Sequence, residues 1–311
     1  MATIDKNINL LTDFGFKRFF GTEQYKKNLI HFLNAFLSDH IGPVTDIAYR
    51  QTEQLGLSDK EKRLVFDVFC SDQDNDRIIV EMQKVSQEFL KNRIIAYTSR
   101  IISNSLGRGD RRYNIPTVVS IILVDFSVPE LAAAGDFVQH VQLKDDKNNI
   151  FSEKIAFLLI DLTKFAARKQ FEQLADDRQK WCYAIKNMWR LEEDDIPEEY
   201  DIFHELYEEC KLSKLTTMEK QEYEKSVLEY EDVKEAMEYH HRMGRTEGFE
   251  KGYDLGVEKG IEQGIQQGVE QGRVEGVRSV IKRMLDNNMD LSVIAKVTGL
   301  AEDEILAQIS R

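Results

Sequence analysis

The sequence predicts an α/β fold, a sheet flanked by helices and followed by a helical C-terminal extension. Three observations predict it. Short β-rich runs, "RLVFDVFC" (63–70) and "RIIVEMQK" (77–84), are separated by the polar turn "SDQDND". Two further runs, "IPTVVSIILVDF" (115–126) and "KIAFLLIDL" (154–162), are apolar almost throughout, as strands buried on both faces are. From about Lys164 onward the pattern is helical, and after Leu191 it is strongly charged.

Each element has its own signal. "TDFGFKRFFG" opens the chain. In "YKKNLIHFLNAFLSDHIG", Leu29, Phe32, Leu33, Phe36 and Leu37 recur at helical spacing, and Gly42-Pro43 stops the helix. "DIAYRQTEQL" reads as a first strand. After the two β-rich runs, residues 85–109 read as a long helix ended by Gly107 and Gly109. A sheet with helices on it is then the rigid platform of the molecule.

The bulk numbers bound the function. The chain has 311 residues, 42% of them hydrophobic, enough for a real core and for one large domain with appendages or for two domains. The net charge of −13 argues against a general nucleic-acid coat, though not against an enzyme that meets nucleic acid through a local basic strip and a metal. Cys70, Cys182 and Cys210 are odd in number and far apart, which suits a reducing compartment without disulfides or zinc. No export signal is recognisable, and no run approaches the ~20 apolar residues of a membrane span. The expected location is cytoplasmic, with no membrane partner.

The tail carries a repeat. From Gly244 to Gly276 a glycine falls at every fourth residue, using nine of the 17 glycines in the chain. On a helix each step of four advances about 40° beyond a full turn, so the stripe winds around the axis. A period above 3.6 favours a right-handed supercoil against a partner. Each glycine costs roughly 1 kcal/mol relative to alanine, so the segment reads either as a partner-dependent helix or as a flexible tether. If the codons also repeat, gain or loss of a unit changes only the helix length, by about 6 Å. Beyond it, Ile281, Met284, Leu285, Ile294, Val297, Leu300 and Ile305, with Asp290 as a cap and Gly299 at a turn, outline a small helical, helix-turn-helix-like module. The expected organisation is 1–200 catalytic-type domain, 201–243 charged helical segment, 244–276 glycine repeat and 277–311 helical tail.

The chemistry-bearing pattern lies in the two β-rich runs. Folded as a hairpin about Asp74, residues whose numbers sum to 148 face each other, so Asp67 pairs with Glu81 and Val65 with Gln83. Val65, Asp67, Phe69, Ile79, Glu81 and Gln83 then share one face. Leu64, Phe66, Val68, Cys70, Ile78, Val80 and Met82 form a wholly apolar core face. Two adjacent carboxylates stay ionised together only with a cation between them; otherwise one takes a proton. Magnesium accepts one or two carboxylates plus waters and leaves room for a phosphate. The Gln83 amide can orient a water or donate to a phosphate, but it brings no charge and no useful base. The same pair is also compatible with an ordinary solvated sheet face.

The pattern resembles the PD-(D/E)XK nuclease superfamily and, more closely, the Rpn family of recombination-promoting nucleases and transposases. "DFGFKRFFG", "LIHFLNAFL", "DVFCSDQDNDRIIVEMQ", "RIIAYTSRI", the glycine repeat and "MLDNNMDLSVIAKVTGL" carry the resemblance over most of the chain. It implies a restriction-endonuclease-like core, with Asp67 and Glu81 as metal ligands and Gln83 in the place of the superfamily lysine. Lys84, Arg93 and Lys17 are the cations that would compensate. Asp13 matches a family position, as an accessory acid near the metal or, the favoured reading, as a helix N-cap. DNA contact would fall to Lys17, Arg18, Lys84 and Arg93, with Lys91, Arg100 and Arg108–Arg112 as further local charge.

The function these readings imply is a magnesium-dependent DNA endonuclease of little sequence specificity, with manganese able to substitute, linked to recombination or mobile-element and defence biology. The rival is a catalytically degenerate nuclease fold acting as a DNA-binding or oligomerising module. True transposase activity ranks below both. The expected partners are DNA and a second copy of the chain, bound through the tail.

Overall fold

The computed structural model describes residues 6–54, 64–84, 89–106, 114–126, 136–165 and 170–309. Gly107, Gly109 and Arg108–Arg112 lie outside them. The contacts divide the chain into two compact units, Met1–Met237 and Glu238–Arg311. Up to Met237 the 201–243 stretch lies in the first unit, and Phe203, Leu206, Tyr207, Cys210 and Tyr223 enter that unit's core.

In the first unit, α1 (Asp13–Phe20) and α2 (Lys26–Ile41) precede β1 (Ile47–Tyr49), β2 (Glu53–Gln54), β3 (Leu64–Val65), β4 (Val68–Asp72) and β5 (Arg77–Gln83). Then come α3 (Leu90–Ser105), β6 (Val118–Val124), β7 (Val138–Lys144), β8 (Ile150–Asp161), α4 (Asp177–Asn187) and α5 (Asp201–Cys210), followed by α6 (Thr217–Asp286), which runs on past Met237. The main sheet has the order β1-β4-β5-β6-β8-β7; β5–β6 and β6–β8 are parallel and the other pairs antiparallel. Helix α3 is the crossover that the parallel β5–β6 pair requires. β2 and β3 form a separate two-stranded ribbon.

The sheet is covered on both faces. One face, with Val68, Cys70, Ile78, Val80, Val119 and Ile121, packs on aromatic side chains of α1, α2, α4 and α5, among them Phe20, Phe32, Trp181 and Phe203. On the other face Phe69, Ile79 and Val118 meet Ile101 of α3, while Ile122 and Leu159 meet Leu90 and Ile94. The three cysteines are free and buried. The edge strand β7 carries no signal in the sequence reading. Val141 and Leu143 on it are exposed, so neither a continuous apolar run nor a clean alternation marks it.

In the second unit the glycine repeat is helical, as the middle of α6. A Cβ added at any of its nine glycines would meet nothing within 4 Å. After α6 come α7 (Leu291–Thr298) and α8 (Glu302–Ile309). Ile281, Ile294 and Ile305 are fully buried together as a small core. Gly299 takes the left-handed conformation, φ +72°, that ends α7. Asp290 stands at the N-cap of α7 without a side-chain capping bond. Among the described residues no helix is long and apolar enough to cross a membrane.

Candidate active site

The β4–β5 hairpin has the register read from the sequence: Val68 pairs with Val80, Phe69 with Ile79, Cys70 with Ile78 and Ser71 with Arg77. The ladder ends at Val68 and Val80, and one step further on Asp67 and Glu81 meet through their side chains. Asp67 lies in the break between β3 and β4, and its side chain bonds across the ladder. Met82 N donates to Asp67 Oδ2 (2.8 Å), and Asp67 N donates to Glu81 Oε1 (3.4 Å). The two carboxylates are therefore tied to one another's strands.

The break also corrects the expected faces. Phe66 does not join the apolar core side. It packs with Phe69 and edge-on to Tyr97 of α3, because the chain leaves the pleat at Asp67. The carboxylate face is not a solvated one either. Glu81 is only 6% exposed and Gln83 7%, since α3 lies over them. The α3 side chains Arg93 and Tyr97 both interact electrostatically with Glu81, and the Arg93 guanidinium stands 5.8 Å from the Tyr97 ring centre.

Burial has an electrostatic cost that shows on both acids. It pushes Glu81 up to about 8, with Asp67 adding to the rise and Arg93 opposing it. Asp67 is raised as well, by burial first, against the bond from Met82 N and the charge of Lys17. Gln83 Nε2 donates to Glu81 Oε2 (3.2 Å), so the amide in the superfamily lysine's place is engaged with the carboxylate. Among the described residues no cluster of three or more His, Cys, Asp or Glu side chains is arranged to hold a metal. A hard divalent cation fits two carboxylates completed by waters. It would also offset the burial, and the charge of Asp67, that raise Glu81.

The N-terminal helix brings the remaining polar groups. Thr12, not Asp13, caps α1: its backbone is extended (φ −77°, ψ 154°) and its hydroxyl accepts from Gly15 N at 3.0 Å. The expected capping role of Asp13 is thus taken by its neighbour. Asp13, in the first turn, instead pairs with Lys17 at 2.8 Å. Asp13, Asp67, Gln83 and Lys84 line one cleft of about 240 Å³. Asp13, Lys17 and Asp67 also line a larger opening of about 650 Å³. Lys84 is half buried, with its ammonium 5.5 Å from the Tyr230 ring centre. Burial lowers its pKa, while Asp13 and Asp67 pull it back up. Arg18 also lines the larger opening, and its guanidinium pairs with Glu219 and lies among the rings of Phe14, Phe19 and Tyr25.

Sequence reasoning missed the far wall of this opening. It is the first part of α6, which presents Glu219, Glu222, Ser226 and Glu229. A capping box starts that helix: Thr216 N donates to Glu219 Oε2 and Glu219 N to Thr216 Oγ1. Asn9 N donates to the Tyr223 hydroxyl and Phe14 N to Ser226 Oγ, both at 3.0 Å, docking α6 on α1. These contacts join residues more than 200 positions apart, and only the capping pattern Thr216-x-x-Glu219 was visible beforehand.

No curated protein and no solved structure matches the chain. A family model described as PD-(D/E)XK nuclease family transposase matches residues 10–240, well over half of the chain, and its span includes every strand of the sheet and both acids of the hairpin. The chain belongs to that family of nuclease-fold transposases.

Proposed function

We propose that the protein is a divalent-metal-dependent DNA endonuclease with little sequence preference, acting at Asp67 and Glu81. The observation that carries this reading is the crowding of two carboxylates, half-buried Asp67, which lines a cleft, and buried Glu81, which is pushed up to about 8. Nucleases of this family generally use divalent metal ions. When bound, a magnesium ion supplies polarisation of a phosphoryl oxygen and a more acidic water. Asp67 and Glu81 would hold it. Gln83 keeps the Glu81 carboxylate oriented through the bond to Oε2. Lys84 supplies the positive charge that an amide at position 83 lacks, and Lys17, shared with Asp13, offers charge to the incoming strand. Arg93 acts through Glu81 rather than on DNA.

The test is plasmid nicking with magnesium and with manganese, by the native chain and by Asp67→Ala and Glu81→Ala. Equal nicking by all three removes the assignment. The second reading, a degenerate fold serving as a DNA-binding or assembly module, draws on the engagement of Gln83 with Glu81 and on the missing lysine. Calorimetric titration with either metal separates the two, since a degenerate site takes up no ion.

We assign the glycine-repeat helix to self-association. Phe249, Tyr253, Val257, Ile261, Ile265 and Val269, each directly following a glycine, are exposed in a row of the same four-residue period. A second copy of the tail is the occupant suited to such a winding seam.

A further inference from the structure

The turn end of the β4–β5 hairpin holds a group of cations that the carboxylate site does not use. Asn75, with φ +67°, places one amide oxygen between two arginines. Arg50 Nη2 donates to Asn75 Oδ1 at 3.1 Å and Arg77 Nη1 donates to the same oxygen at 2.7 Å. Arg77 Nη1 also reaches Asn75 O (2.7 Å), and Arg50 Nε and Nη2 reach Ser71 Oγ (3.1 and 3.0 Å). All these acceptors are neutral. Among the described residues neither guanidinium has a carboxylate at ion-pair distance, and Arg77 Nε and Nη2 and Arg50 Nη1 have no acceptor.

The acids of the turn are engaged elsewhere. Asp72 Oδ1 accepts from Asp74 N and Asp76 N, and Asp76 Oδ1 accepts from Thr117 N. Arg77 is accordingly held below its ordinary pKa, by burial first and by Arg50 next, and Asp76 and Asp72 only partly oppose this. A cleft of about 280 Å³ opens at the pair. Arg50, Gln51, Arg77 and Asn104 rim it over Phe69 and Ile101. Two planar cations with unused donors and no anion of their own match the geometry of a phosphate.

We propose that Arg50 and Arg77 form a second phosphate-binding site that grips the nucleic-acid backbone beyond the cleavage site. This assignment rests on the reading of the carboxylate cleft as a nuclease site. The segment from Arg50 to Thr52 connects the two places: Thr52 lines the opening at Asp67, and Arg50 and Gln51 line the arginine cleft. Ser71 is four strand residues from Asp67, roughly 14 Å at about 3.4 Å per residue. That distance corresponds to about four base steps of a duplex. The site thus sets a minimum length of substrate on one side of the scissile bond.

The experiment measures the salt dependence of metal-free binding of a fluorescent duplex to the full chain, for the native protein and for Arg50→Gln/Arg77→Gln. Arg50→Lys/Arg77→Lys is measured alongside, because both arginines also brace the turn and this variant keeps the two charges. Each neutralised phosphate contributes about 0.9 to the slope of log affinity against log salt. The glutamine pair is expected to lower the slope by between one and two and to weaken binding at low salt roughly tenfold. The lysine pair is expected to keep the slope. A native slope retained by the glutamine pair overturns this site and leaves the nuclease reading intact. Absence of salt-dependent binding by the native chain overturns both. Inorganic phosphate titrated in parallel separates the sources: uptake lost in Arg77→Gln while the duplex slope is unchanged makes this a free-anion site and overturns the backbone assignment.

Discussion

Glu81 is a carboxylate that the fold first buries under α3 and then crowds with Asp67, and its proton follows from that. The native chain holds the proton up to about pH 8, whereas an unfolded glutamate releases it near 4.5. Between those values the folded state binds more protons than the unfolded one, so stability falls as pH rises. Asp67, also raised, acts with the same sign. The thermal midpoint of metal-free protein is therefore expected to drop from pH 5 to pH 8. Glu81→Gln should flatten most of that drop, and magnesium at pH 8 should restore the native midpoint. A midpoint that rises over the same range would show that the acid pair is not crowded. Removing either acid is expected to lower plasmid nicking by at least about a hundredfold, the loss of several kcal/mol of charge stabilisation. Lys84→Met is expected to lower the nicking rate, and Lys84→Arg to recover part of it, if charge at this position replaces the superfamily lysine.

At the scale of elements, α1 is where local chemistry positions the cleft. Its N-terminus depends on Thr12 and on the closeness of Gly15 to the chain before it. A Cβ on Gly15 would stand 2.3 Å from Asn9 O, which is backbone and cannot swing aside. Gly15→Ala is expected to cost about 1–3 kcal/mol, as overpacking does. Thr12→Ala is expected to cost about 1 kcal/mol through the lost cap. Both changes move Asp13 and Lys17 relative to Asp67, so nicking should fall more steeply than the denaturant midpoint alone explains. Equilibrium unfolding and initial rates on the same preparations check this. An unchanged rate per folded molecule would remove α1 from the site.

For the whole molecule, the sheet unit and the tail unit have separate cores. The tail's glycines meet no neighbour in the single chain, so replacing them with alanine carries no steric cost within it. Each replacement is expected to strengthen the helix by roughly 1 kcal/mol. Gly256→Ala/Gly260→Ala/Gly264→Ala should therefore raise the helix content on heating. If close approach of a second copy uses the glycines, it should also lower the solution mass measured by light scattering. A mass unaffected both by this variant and by deletion of 244–276 would rule out self-association through the tail.

How much of this was legible in the sequence depends on the range of the interaction. The period of two brought Asp67 and Glu81 to the same end of the hairpin, because a hairpin register follows from the turn and from one apolar face, both local. The apolar runs marked β6 and the core-facing part of β8, and the 3.6 period marked α2, for the same reason. Edge strand β7, the docking of α6 against the cleft and the commitment of Arg18 to Glu219 had no local signature. The glycine repeat was legible as a repeat, but the choice between helix and tether was left open, since its propensity opposes the helix it forms. What the sequence by itself determined is which acids face each other and which segments are strand or helix, since neighbours a few residues apart decide both. Only the tertiary structure decided that Glu81 is buried and Asp67 half-buried, that Lys84 and Asp13 line a cleft with Asp67, and that Arg50 and Arg77 share Asn75. Burial and charge proximity arise from chain segments that meet in space, and no spacing along the chain encodes them.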